Sequence, residues 1–100
     1  GVVHLLEETS PVETETYIRR QLGTLLRQPE PRRQELLDTL KSWLRCMGNQ
    51  RQMARELHLH YNTVSYRLQQ LWMLLGTDPT APMNRLALAT ALYLHRYRRI

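Results

Sequence analysis

GNQRQMARELHLHYNTVSYRLQQLWMLLG, residues Gly48–Gly76, decides how the chain folds, because it carries two helix starts and two helix stops in close succession. Gly48 ends whatever helix precedes it, since glycine accepts the left-handed conformation a helix C-terminus needs. Asn49 follows at once. Asn is a strong N-cap, and Gln52 three residues later makes a capping-box-like pair. The spacing predicts a short helix over Gln50–Leu57, with Met53, Ala54 and Leu57 apolar. A second helix is expected from Tyr61 to Leu75, because Val64, Leu68, Leu71 and Leu75 recur at helical spacing. Gly76 closes it. His60 is expected to cap this helix or to touch a phosphate, with Asn62 as the rival cap.

Working outward, Arg32–Met47 carries Leu36, Leu37, Leu40, Trp43, Leu44 and Met47 on one apolar face of a helix. Beyond Gly76, a loop with Pro79 and Pro82 leads to a last helix at Met83–Tyr97, rich in Leu and Ala. The loop Asp78–Met83 reads as a few residues long. Strand signals are absent apart from a weak apolar start at Val2–Leu6, and no internal repeat stands out. The expected fold is therefore all-α: a compact helical bundle with helices at about 33–47, 50–57, 61–75 and 83–97, plus a helical N-terminal segment. Residues 1–31 read as a helical linker segment from a larger protein, and 32–100 as the functional domain. The chain opens on Gly1 rather than Met, which fits a piece of a longer protein.

Two short helices joined by a three-residue turn make a helix-turn-helix. Ala54 sits mid-helix, where a small side chain lets the second helix cross closely. Leu59 in the turn is expected to plug the core, and Val64 to pack back against Ala54. His58 occupies the turn position that needs a positive φ, which His tolerates better than most residues.

With the Val64/Leu68/Leu71 stripe facing inward, Asn62, Tyr66 and Gln69 point straight out of the second helix. Thr63, Ser65 and Gln70 flank them, and Arg67 borders the stripe. Amides pair with adenine edges and Thr touches thymine methyls in a major groove. No acid occurs from Tyr61 to Thr77. A merely solvated face would mix Glu with Lys, so this face favours an anionic partner. The first helix offers its amino-terminal N–H groups, with Gln50 and Arg51 in its first turn, to a phosphate. The expected DNA-binding residues are Asn49, Gln50, Arg51, His60, Tyr61, Asn62, Thr63, Ser65, Tyr66, Arg67, Gln69 and Gln70. Arg67 has an ion pair with Glu35 or Glu56 as its alternative, and Tyr66 partial packing in the core.

The charge distribution agrees. The 100 residues carry a net charge of +5. Residues 1–18 hold Glu7, Glu8, Glu13 and Glu15 and no Lys or Arg, so all 14 basic residues lie behind them. On charge alone such a domain suits a polyanion or a membrane surface, with a merely solvated basic surface as the alternative. Apolar residues make up 42%, enough for a modest core. No apolar run approaches the ~20 residues a membrane helix needs, so no membrane partner is expected. The single cysteine, Cys46, excludes an intrachain disulfide and fits a reducing, cytoplasmic compartment.

The run Gly48–Gly76 resembles the C-terminal helix-turn-helix of PucR/CdaR-type bacterial transcription regulators, and more distantly the Fis-type motif. The likeness rests on Gly48-Asn49, Ala54, Leu57-His58-Leu59-His60, and Asn62-Thr63-Val64 leading to Tyr66-Arg67-Leu68. The flanks agree: Leu36-Leu37-Asp38-Thr39-Leu40 before it, Asn84-Arg85-Leu86-Ala87-Leu88 after it, and Leu22-Gly23-Thr24-Leu25-Leu26 as a linker helix. Tyr61 and Ser65 stand where the family usually has basic residues. The resemblance implies sequence-specific binding of double-stranded DNA, by the C-terminal domain of a larger regulator whose upstream regions sense a small molecule. It also implies a homodimer, formed through this or upstream regions.

Other readings are weaker. His58 and His60 form an H-x-H pair without further ligands at zinc spacing, so no metal and no cofactor is expected. Trp43 and Trp72 lie on apolar faces and read as core rather than a ligand pocket. Arg96, Arg98 and Arg99 form either a phosphate clamp or a complement to the helix dipole. No nucleophile has a paired base at sensible spacing, so no enzyme is expected. The alternative function is a helical protein-protein interaction or dimerisation module built on Leu86, Leu88, Leu92 and Leu94, which occupy more than one face of the last helix.

Overall fold

A computed structural model describes residues 10–98. The apolar start Val2–Leu6, the acids Glu7 and Glu8, and Arg99 lie outside the described residues. Within them the chain is all-α: α1 (Pro11–Leu26), α2 (Arg32–Arg45), α3 (Gln50–Leu57), α4 (Tyr61–Leu75) and α5 (Pro82–Arg98).

Local chemistry sets the helix ends. Ser10 caps α1, its hydroxyl accepting from the Glu13 N–H, with Pro11 at the first helical position where no N–H is needed. Pro82 opens α5 in the same way, one residue earlier than the apolar pattern suggests. Gly76 ends α4 in the left-handed conformation, its N–H donating to the Trp72 carbonyl at 2.9 Å.

The end of α2 corrects the sequence reading. The helix stops at Arg45 rather than Met47. Met47 and Gly48 both have positive φ, 52° and 81°. The chain must reverse within a few residues to begin α3, and these two left-handed residues turn it. The Gly48 N–H closes the turn on the Trp43 carbonyl at 3.0 Å. Met47 is consequently thrown outward, 77% exposed, and Cys46 takes the core position instead. Periodicity ran past the true end because 47 still fell on the apolar face of an ideal helix.

The core is one cluster shared by all five helices. Leu22 and Leu25 of α1, Leu36, Leu37, Leu40 and Trp43 of α2, Met53 of α3, Val64, Leu68 and Leu71 of α4, and Leu88 and Ala91 of α5 are buried in it. Burying a large aliphatic side chain stabilises by roughly 1.5–3 kcal/mol. Trp43 is buried and Trp72 packs against the cluster, ring edge to ring face with centroids 4.8 Å apart. The Arg85 guanidinium lies 5.4 Å from the centre of the Trp43 ring. α1 packs mainly along α5. The Tyr17 hydroxyl donates to the Ala87 carbonyl at 3.3 Å, and Thr24 to the Leu74 carbonyl at 2.8 Å. Arg98 pairs with Glu15, so this tail arginine already has a carboxylate partner.

Candidate nucleic-acid interface

α3 and α4 are set against each other by the turn between them. His58 sits at φ 56°, ψ 43°, the left-handed region its position requires. The Leu59 N–H then reaches back to the Ala54 carbonyl at 3.0 Å, and Leu59 packs on the core as a plug. His60, not Asn62, caps α4: its Nδ1 accepts the Asn62 backbone N–H at 3.0 Å. The Asn62 side chain is left exposed.

At the start of α3, Asn49 caps as its type suggests, Oδ1 accepting from the Gln52 N–H at 3.1 Å. The reciprocal half of a capping box is replaced: the Asn49 N–H donates to the Cys46 carbonyl at 3.0 Å, inside the tight α2–α3 turn.

Glu56, which the sequence offers only as a possible partner of Arg67, orients α3. Glu56 accepts from Ser42 Oγ at 2.5 Å, Arg45 Nε at 2.6 Å and Cys46 Sγ at 3.3 Å. This fastens the far end of α3 to the last turn of α2. Those donors, Ser42 first and Arg45 next, hold the Glu56 carboxyl down at about 2. Burial, followed by the bond to Glu56, pushes the Cys46 thiol up, so it sits there as a neutral donor. The available signal was charge: Glu56 is the lone acid between Asp38 and Asp78.

The other end of α3 is fastened to α4. Ser65 Oγ donates to Gln50 Oε1 at 2.6 Å. The first turn of α3, with Arg51 exposed, therefore lies beside the amino-terminal half of α4.

The structure places the candidate residues in three groups. Asn49, Arg51, Tyr61, Asn62, Tyr66 and Gln69 are exposed; Tyr66, at 62%, does not pack into the core. His60 is exposed with its Nδ1 committed to the cap. Thr63, Ser65, Arg67 and Gln70 are half-buried along the edges of α4, and Gln50 is half-buried at the start of α3. Arg67 has no hydrogen bond or ion pair among the described residues, and Glu56 faces Ser42 and Arg45 instead. Gln70 Oε1 accepts from Arg32 Nη2 at 3.3 Å. That bond uses one lone pair of the amide oxygen and turns the side chain towards α2.

The arrangement is an acid-free, largely exposed face on the amino-terminal half of α4, flanked by the first turn of α3. It presents amides, hydroxyls and guanidiniums. Among the described residues no three His, Cys, Asp or Glu side chains gather as a metal site, and no helix is long and apolar enough to cross a membrane.

Comparison with known proteins agrees with this geometry. The family model of the PucR C-terminal helix-turn-helix domain matches residues 36–96. Uncharacterized proteins of Mycobacterium tuberculosis and Mycobacterium bovis are each 41% identical over 56 residues, covering 56% of this chain. The chain spans only 14% of the length of these relatives. Among solved structures, a regulator of polyketide synthase expression from Bifidobacterium adolescentis superposes with a TM-score of 0.72 at 29% identity, over 87% of this chain and 35% of the other.

Proposed function

This chain belongs to the PucR C-terminal helix-turn-helix family, DNA-binding domains of transcription regulators rather than enzymes, and on that premise we propose that it binds duplex DNA sequence-specifically with α4 in the major groove. The observation that carries the reading is the acid-free, exposed amino-terminal half of α4 beside the first turn of α3. An α-helix is about 10–12 Å across with its side chains, and a B-DNA major groove is about 12 Å wide. Asn62, Thr63, Tyr66 and Gln69 face base edges, with Gln70 at the groove margin. Arg51, Arg67 and Asn49, with the α3 amino terminus, hold phosphates.

The domain works as the carboxy-terminal part of a longer, cytoplasmic regulator of the PucR/CdaR kind. It acts as a homodimer on half-sites about 34 Å apart. Met83 and Leu86 of α5, 72% and 59% exposed, favour a subunit contact there, which is where the alternative interaction-module reading joins this one.

The test is Asn62→Ala, measured on a selected preferred duplex and on a scrambled one. Discrimination should fall by about 1–3 kcal/mol, with little change on the scrambled duplex. Equal loss on both would remove Asn62 as a base reader.

A further inference from the structure

Two hydrogen bonds fix what lies along each flank of α4. At about 100° per residue, Trp72 stands about 20° from Ser65, whereas Thr63, Gln70 and Arg67 stand about 140–160° away. Ser65 is bonded to Gln50 of α3, and Trp72 meets Trp43 near the end of α2. That flank faces α3 and the α2 carboxy terminus. On the opposite flank, Gln70 holds Arg32, the first residue of α2.

A helix that fills a major groove has a phosphate backbone on each side of it. Arg51 and the α3 amino terminus serve one side. We propose that Arg32 is a DNA-phosphate contact on the other side, held at the groove margin by Gln70 and acting beside Arg67. This rests on the DNA-binding reading above and extends it from one wall of the groove to both.

The chemistry distinguishes Arg32 from its neighbour. Arg33 Nε lies 3.3 Å from Glu30, so its charge is largely answered. Arg32 is exposed, and among the described residues its side chain bonds only the neutral Gln70, with no carboxylate partner. One Nη2 bond leaves most of the five guanidinium donors available, and their planar fork matches a phosphate. Gln70 is then a positioning residue for Arg32.

The experiment is fluorescence anisotropy of a labelled duplex with this 100-residue chain, from 50 to 200 mM salt. Wild type is compared with Arg32→Ala, Arg32→Lys, Arg33→Ala and Arg51→Ala, each checked by thermal melting. Arg32→Ala should weaken binding about tenfold on preferred and scrambled duplexes alike, and lower the salt slope by about one contact. Arg32→Lys should keep the slope and recover part of the affinity. Arg33→Ala, the same charge change one residue away, should stay within about twofold. If wild type binds and Arg51→Ala weakens it, but Arg32→Ala behaves like Arg33→Ala, the Arg32 contact is overturned while the DNA reading stands. If wild type does not bind even at low salt, the DNA reading fails first and takes Arg32 with it. Should Arg32→Ala melt early, the charge-keeping Arg32→Lys decides: a wild-type affinity excludes a forked phosphate contact.

Discussion

The α1–α5 pair and the α3–α4 pair are held in place by different forces. α1 and α5 run 16 and 17 residues and lie along one another, burying Ile18, Leu22, Leu25, Leu88 and Ala91. α3 has eight residues, of which only Met53 is fully buried. Its orientation comes from polar ties at both ends: Glu56 to Ser42 and Arg45, and Gln50 to Ser65. On the proposed function α3 lies against DNA, and such a helix must leave most of its surface polar and uncovered. Little apolar area remains to fix its angle, so directional bonds and caps do so, on a platform of conventional core.

The contrast can be broken first at the platform. Leu22→Ala in α1 should cost about 2–5 kcal/mol by urea denaturation, because it empties a fully buried site. A loss below about 1 kcal/mol would mean α1 is not part of the supporting core. The turn between α3 and α4 comes next. His58→Val should cost about 1–2 kcal/mol, since a β-branched residue resists φ 56°, whereas His58→Gly should be close to neutral. Equal stability of the two variants would show that the left-handed turn is not enforced. Asn49→Ala should cost about 1 kcal/mol through the lost α3 cap, and no loss would leave that helix start without its assigned anchor.

The smallest effect concerns Glu56, whose surroundings are open to water. Its carboxyl titrates at about 2 in the fold against an ordinary 4.5. The stabilisation is fully present above pH about 4.5 and is lost as pH falls towards 2. Glu56→Gln should therefore flatten the acid side of the melting-temperature profile and leave a smaller difference at pH 3 than at pH 7. A constant difference across that range would contradict the charged tie.

Much of this was legible along the chain because it is local. Gly76, Asn49, His58 and the Val64/Leu68/Leu71 stripe act through neighbours within about one turn, and each stands where the pattern put it. What escaped was long-range or depended on a sharp reversal. The α2–α3 turn placed Met47 outside, against its apolar period. The Ser42–Glu56, Gln50–Ser65 and Arg32–Gln70 bonds join residues 14 to 38 positions apart, and only the packed register brings them together. The packing of α1 along α5 escaped likewise, because it joins the first described helix to the last and no local spacing announces it. For the interface, exposure of Asn62, Tyr66 and Gln69 was readable from the wheel. The engagement of Gln70 and Ser65 by other helices was not.

The most direct measurement is the binding of a labelled random duplex by this chain at several salt concentrations, beside Arg67→Ala. Binding should weaken steeply with salt, and Arg67→Ala should weaken it further on any sequence, with a slope smaller by about one phosphate. Absence of binding at low salt, or an Arg67→Ala curve that overlies wild type, would contradict a DNA-facing α4.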